Sequence, residues 1–316
     1  VTRARPAPLL VAAFAAVYLI WGSTYLAIRL AIDTVPPLAM AGVRFLIAGS
    51  LLFPLALLTG DRTDRVTARH WRSAVVIGVL LVTGGNGVLT FAEQHVSSGV
   101  VAMLVATVPL WMVALAHLRG IQHVSRMGAA GLVVGLVGVG LMLRPGSVGS
   151  AAPVWLAFTL ISPVAWALGS IYARGASMPR RPLLATAMEM LCGGAALCVV
   201  AALLGEWGQV HPAAISGLSV AAFFYLVIPG SIVGYSAYVY LNRTVSPQAA
   251  SSYAYVNPLV AVALGWALLG ETVTATTLVA GALIVVAVAV LLAGGRRTAG
   301  DATEITCMEG GQPEVA

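Results

Sequence analysis

The 316-residue sequence contains no lysine, only 9% charged residues and three cysteines. Soluble domains carry about 25% charged residues, so this scarcity excludes a soluble globular fold. Cys192, Cys198 and Cys307 offer neither a metal-binding spacing nor a disulfide framework. No GxxxxGK[ST] loop occurs, so ATP held in such a loop does not drive the protein. The histidines at 70, 95, 117, 123 and 211 fall at the ends of apolar runs or in loops, with no HExxH or GxSxG context. An intramembrane enzyme, a metal and a cofactor are therefore not expected. All 17 basic residues are arginine, a mark of composition bias rather than chemistry. They cluster in short loops between apolar segments, which explains the net charge of +6 without a nucleic-acid partner.

What is abundant is apolar sequence, at 59%. Ten runs stand out, at 10–32, 36–58, 72–93, 97–118, 126–143, 151–174, 182–204, 214–242, 246–270 and 272–293. At about 1.5 Å per helical residue each approaches the ~30 Å of a bilayer core, 126–143 being the shortest. The run at 10–32 is too long for a signal-peptide core and has no clear cleavage site, so it is expected to remain as a membrane helix. Short connections make consecutive helices antiparallel neighbours. Pro229-Gly230 interrupts the eighth run, which predicts a kink or a partly interfacial segment.

Charge sets the orientation. With the N-terminus inside, the inner segments hold fourteen arginines: 3, 5, 62, 65, 69, 72, 119, 126, 174, 180, 181, 243, 296 and 297. The outer loops hold Arg144 alone, and Arg29 and Arg44 lie within spans. The bias predicts a multi-pass protein of a bacterial cytoplasmic membrane with both termini cytoplasmic. Residues 1–9 form the inner N-terminus. The polar, mildly acidic segment 294–316 reads as a disordered tail.

SSGVVAMLVATVPLWMVAL (97–115) and SPQAASSYAYVNPLVAVAL (246–264) align without a gap at an offset of 149, pairing Pro109 with Pro258. Gly22-Ser23-Thr24-Tyr25 and Gly169-Ser170-Ile171-Tyr172 align at 147, and Ala130-Gly131 and Ala280-Gly281 at 150. The near-constant offset points to a duplicated five-helix unit, 10–143 and 151–293. Five is odd, so the second copy is inverted. The expected fold is an all-α integral membrane protein with ten transmembrane helices as two inverted five-helix repeats. Secondary transporters built this way bind substrate near the midplane at interrupted helices. Pro109 and Pro258 are the expected helix breaks. They free the carbonyls of Val105 and Ala254 for water or substrate.

The sequence resembles the EamA family of the drug/metabolite transporter superfamily over about 10–293. The marks are Trp21-Gly22-Ser23, Ala27-Ile28-Arg29, Arg44-Phe45, GGNGVLTFAEQ (84–94), Ser97-Ser98-Gly99, VATVPLW (105–111), Asn257-Pro258 and Leu269-Gly270-Glu271. Two positions depart. Ile121-Gln122 stands where the second repeat has Gly270-Glu271, and arginine stands at 29 where the family often has lysine. The resemblance implies a permease, often an exporter of amino acids, related metabolites or drugs. A passive facilitator or channel for small metabolites is the alternative.

Intramembrane charges mark function. Arg44 and Glu189 fall at corresponding repeat positions with opposite sign. They pair, or Glu189 carries a coupling proton, or each satisfies polar groups inside the bundle; helices two and seven need not touch. Arg29, Asp33, Glu93 and His95 sit at span ends and read as solvated interface. Glu271 is expected to cap the tenth helix.

A cavity for an organic metabolite needs aromatic faces and a few hydrogen-bonding groups. The candidates are Trp21 and Ser23, Asn86 and Thr90, Trp111 and Trp166, Tyr235 and Tyr238, and Tyr253, Tyr255 and Asn257. Asn86 and Asn257 are the best of these, because a neutral amide deep in a span needs a partner. Trp71, Trp155 and Trp207 read as interfacial belt residues. Gly128, Gly131, Gly135 and Gly138 form a packing stripe, directed between the repeats or into a homodimer.

Overall fold

The computed structural model describes residues 7–58, 64–120, 126–144, 151–245 and 252–290. The tail 294–316, Cys307 and Ile121-Gln122 lie outside these residues, as does the side chain of Tyr255. The described residues are helical and carry no strand. Seven helices are long and apolar enough to cross a membrane: α1 (Pro8–Ala31), α2 (Pro37–Leu58), α3 (Ala68–Ala92), α4 (Ser98–Leu118), α6 (Pro153–Gly175), α7 (Pro182–Leu203) and α8 (Gly217–Leu241). Three shorter apolar helices accompany them: α5 (Arg126–Met142), α9 (Tyr253–Leu269) and α10 (Ala275–Val290). In hydrocarbon every backbone polar group needs an internal partner, which a helix supplies.

The helix ends follow from local chemistry. Pro37, Pro153 and Pro182 open α2, α6 and α7, where a missing N–H costs nothing. Thr67 caps α3 by accepting from the His70 N–H at 3.3 Å, while His70 Nδ1 accepts from the Thr67 N–H at 3.4 Å. Ser216 caps α8 by accepting from the Ser219 N–H at 3.0 Å. Gly270, at φ 64°, ends α9 in the left-handed conformation that glycine adopts without strain.

Three helices carry π turns: α1 at Ala16–Ile20, α3 at Val79–Gly87 and α8 at Leu226–Val233. The turn in α8 holds Pro229 and Gly230, the interruption singled out in the sequence. The interruption of α4 occurs as expected. One helical segment ends at Val105, the next begins at Val108, and Pro109 sits in its first turn. The expected break at Pro258 does not occur, because α9 runs unbroken from Tyr253 to Leu269. Pro258 needs only that the Ala254 carbonyl four residues back lose its helical bond.

Glycines set the central seams. A Cβ on Gly42 would lie 2.9 Å from the Cys198 nitrogen, and one on Gly194 2.9 Å from the Leu46 nitrogen. The α2 and α7 backbones therefore touch along their length, contrary to the weaker contact the sequence allowed. Gly78 and Gly193 bring α3 equally close to α7. On α5, Gly135 faces Leu110 and Ala287, and Gly138 faces the Ala280 carbonyl, so the stripe is covered by α4 and α10. That leaves it packed inside the chain rather than free for a dimer. Further contacts join α4 to α9, α3 to α6, α1 to α8, α4 to α6 and α1 to α9. Large apolar side chains such as Val133, Leu203, Leu259 and Trp266 are exposed on the outer surface, as a lipid-facing surface requires.

Successive helices alternate in direction, and polar contacts tie each end of the bundle. At the arginine-rich end, Arg181 bridges Asp64 at 3.7 Å and donates to the Ala56 carbonyl at 3.2 Å. At the opposite end Glu271 accepts from the Ser98 and Gly99 amides at 2.8 and 3.2 Å, so it caps α4, not the tenth helix. There too Glu206 accepts from the Leu38 and Ala39 amides at 2.9 and 2.8 Å and caps α2. Burial holds the Glu206 carboxyl above the usual carboxylate range, against the two amides that pull it down. Ser219 donates to the Leu30 carbonyl at 2.8 Å, and His95 stacks on Trp155 at 3.8 Å at this same end.

Candidate functional site

A cavity of about 580 Å³ lies in the middle of the bundle and draws its walls from α1, α2, α3, α4, α6, α8 and α9. Its lining includes the exposed Arg174, in the last turn of α6 at the arginine-rich end. None of the residues that tie the opposite end, among them Glu271, Glu206 and His95, lines it. The volume falls in the range of small-molecule sites, about 300–1,000 Å³.

One wall is aromatic. Trp21 packs against Tyr235, Tyr238 and Tyr253 with ring centroids 5.3, 5.1 and 5.2 Å away, and Tyr238 meets Tyr253 edge-on at 5.6 Å. These separations suit favourable aromatic contacts. Trp21 Nε1 donates to the Gly230 carbonyl at 3.2 Å, which fixes the indole against the π turn of α8. The lining also holds Asn86, within hydrogen-bonding reach of Tyr235, and Trp166. Asn86 Nδ2 donates to the Leu81 carbonyl, five residues back, at 3.4 Å. Trp166 lies against Gly85, where a Cβ would come within 2.8 Å of the indole. Asn257, 7% exposed, donates to the Tyr253 and Tyr18 carbonyls at 3.3 Å and so ties α9 to the π turn of α1. Pro109 and Pro258 both line the cavity, as do Val105 and Ala254.

Three sequence candidates stand outside the cavity. Ser23 donates to the Ile20 carbonyl at 2.9 Å and meets the Tyr225 hydroxyl at 2.6 Å. Thr90 is fully buried between helices. Trp111 turns aside, donating from Nε1 to Thr107 Oγ1 at 3.1 Å, while Thr107 Oγ1 donates to the Leu104 carbonyl at 2.5 Å. That pair closes the break in α4 from within. Tyr255 lies on α9, but its side chain is outside the described residues.

The intramembrane charges divide differently than expected. Arg44 is 3% exposed and lines the cavity. Its Nε donates to Ser231 Oγ at 3.1 Å, and its guanidinium sits over the Phe45 ring at 4.6 Å. Glu189, on α7, neither lines the cavity nor pairs with Arg44; among the described residues the recorded ion pair is Arg181–Asp64. Although α2 and α7 touch, their contact is made by glycines and apolar side chains.

Glu93 is the residue that sequence reasoning misplaced. It is fully buried rather than solvated, and neither carboxylate oxygen has a partner. Arg29, itself exposed, reaches back to donate to the Glu93 carbonyl at 2.5 Å. A carboxylate at a span end is ordinarily wet, so nothing in the local sequence signalled burial. The other residues read as interfacial are not buried. Asp33, His95, Trp71 and Trp207 are exposed, and Trp155 is half-buried.

Known proteins share this architecture. The description "EamA-like transporter family" matches the chain twice, over residues 8–144 and 153–293. The "Uncharacterized inner membrane transporter YedA" of Escherichia coli (strain K12) is 42% identical over 288 residues, 91% of each chain. The "Uncharacterized transporter YoaV" of Bacillus subtilis (strain 168) is 24% identical over 85% of this chain and 91% of its own. A solved structure described as "Crystal structure of protein" superposes with a TM-score of 0.61 at 21% identity, covering 92% of this chain and 99% of that one. Its likeness concerns the fold alone. With membrane-length apolar helices around a central cavity and a family match in each half, the chain belongs to the EamA-like transporter family and is a multi-pass membrane transporter rather than an enzyme.

Proposed function

We propose that the protein is a secondary exporter of small organic metabolites, in the range of amino acids, related compounds and drugs. Two inverted five-helix repeats, 10–143 and 151–293, work by alternating access around one cavity. The observation that carries the reading is the cavity itself, walled by both halves and bordered at one end by polar contacts. The inverted repeat gains support from the packing pattern. Exchanging α1 to α5 with α6 to α10 leaves the α2–α7 and α4–α9 contacts in place. It also converts α3–α6 into α8–α1 and α4–α6 into α9–α1, and all of these contacts occur.

The arginine-rich end faces the cytoplasm of a bacterial inner membrane, with both termini inside. The cavity reaches Arg174 at that end, so this conformation is the inward-facing one. Protons are the proposed coupling ion, with Glu189 and the buried Glu93 as the carboxylates within reach of the pathway. Inside-out vesicles carrying the full-length chain test the reading. Uptake of a substrate found by a toxic-analogue resistance screen rises above equilibrium and collapses when a protonophore removes the gradient. Uptake that equilibrates and ignores the protonophore identifies a passive facilitator instead.

A further inference from the structure

Among the described residues lining the cavity, the charged ones are Arg44 and Arg174; no carboxylate lines it. Arg174 is exposed at the mouth, but Arg44 is buried. An arginine cannot shed its charge at ordinary pH, and its planar guanidinium offers five N–H donors. Only Nε is committed, to Ser231, whose own hydroxyl donates to the Leu226 carbonyl at 3.0 Å. Nη1 has no partner. Glu93 lies near enough to be felt electrostatically, but beyond ion-pair distance and outside the lining. A buried cation without an anion is costly, and the cost is relieved by an anion that enters the cavity.

The position of Arg44 is built. Gly230 borders the guanidinium, since a Cβ there would be in van der Waals contact with Nη2 at 3.5 Å. The π turn in α8 places Ser231 to hold Nε, so the plane of the group is fixed. Tyr235 stands within electrostatic reach of the guanidinium, and it begins the aromatic wall of Trp21, Tyr238 and Tyr253. A charged donor next to ring faces demands two parts in one molecule: an anionic head and an apolar, ring-sized body.

We infer that the cavity binds an organic carboxylate, with Arg44 Nη1 donating to the carboxylate and the Trp21–Tyr253 wall receiving an aromatic or other apolar body. The inference rests on the transporter reading above and adds the class of substrate. Simple cations do not fit, because both charges on the wall are positive.

The test measures binding to the purified full-length chain by isothermal titration calorimetry. The probes are phenylacetate, indole-3-acetate, their uncharged amides and phenethylamine. The carboxylates are expected to bind at least about tenfold tighter than the amides, and the amine weakest. Arg44→Gln brings acid and amide within about threefold of each other, while Arg44→Lys keeps part of the preference as a point charge. The inference is overturned if the amides or the amine bind wild type as tightly as the acids. It is also overturned if neither acid binds at millimolar concentration, or if Arg44→Gln folds and keeps the full preference. Should Arg44→Gln not fold, the wild-type probe series and Arg44→Lys still decide. Flux of the same probes in proteoliposomes separates the two claims. Flux of amide or amine without acid removes the carboxylate inference alone, and binding of acid without flux of any probe removes the transport reading alone.

Discussion

α4 and α9 pack together at the heart of the bundle, each with a proline on the cavity wall, yet they treat it differently. In α4 the helix stops at Val105 and restarts at Val108, and Thr107 fills the gap by binding Leu104 and Trp111. In α9 the helix continues through Pro258, and Asn257 beside it reaches across to α1. α3 and α8 show the opposite behaviour. Both carry a long π turn, and in each a polar side chain, Asn86 or Ser231, donates to the carbonyl five residues back. Around one cavity, alike π turns frame unlike proline helices, and the family match recurs in each half of the chain.

Four tests bear on that comparison, from the largest expected effect to the smallest. Gly193→Val attacks the shared frame, because even a Cβ at 193 would meet the Gly78 carbonyl at 2.5 Å, and backbone cannot yield. Loss of the monodisperse peak in size exclusion is expected, whereas Gly140→Val, with open space around 140, leaves it unchanged. Pro258→Ala restores a helical bond at Ala254 and raises stability by up to about 3 kcal/mol, the ordinary interior cost of proline. Pro109→Ala changes little, since a proline in a first turn costs nothing. Thermal unfolding of the two variants side by side shows whether the prolines are as unlike as the helices around them.

Thr107→Val strands the Trp111 indole N–H at the break, while the Leu104 carbonyl still accepts from the backbone N–H of residue 107, at a cost of about 1–3 kcal/mol. A shift in the same melting assay measures it, and a null result means the break is not held by Thr107. Glu271→Ala removes the cap of α4 and Glu206→Ala that of α2, each at about 1 kcal/mol. Equal shifts support a common sealing role at that end of the bundle, and a shift in one alone limits it to that helix.

Much of the fold was legible because its causes are local or periodic. Apolar runs of membrane length, proline and glycine at helix ends, and the offset of about 149 residues all lie in the sequence. The aromatic wall was legible as residue type and depth, which is why Trp21, Tyr235, Tyr238, Tyr253 and Asn257 meet at the cavity. What was hidden depends on helix rotation and on distant partners. Trp111 faces away because Thr107, four residues earlier, captures it. Glu271 serves α4, 173 residues away in the chain, rather than the helix that follows it. Glu93 is dry because neighbouring helices cover a position that local sequence places at the interface. Of the π turns, the one in α8 falls on the Pro229-Gly230 interruption visible in the sequence, whereas Ala16–Ile20 reads as ordinary apolar helix.

The central claim is that the cavity between the halves is the transport path and opens at the arginine-rich, cytoplasmic end. Ser170→Cys, placed on the cavity wall in a background with Cys192, Cys198 and Cys307 changed to alanine, tests it with a membrane-impermeant maleimide. Labelling in inside-out vesicles that is slowed by a transported compound, with little labelling from the outer face, is the predicted result. Labelling from the outer face alone, or none from the cytoplasmic face, contradicts the account.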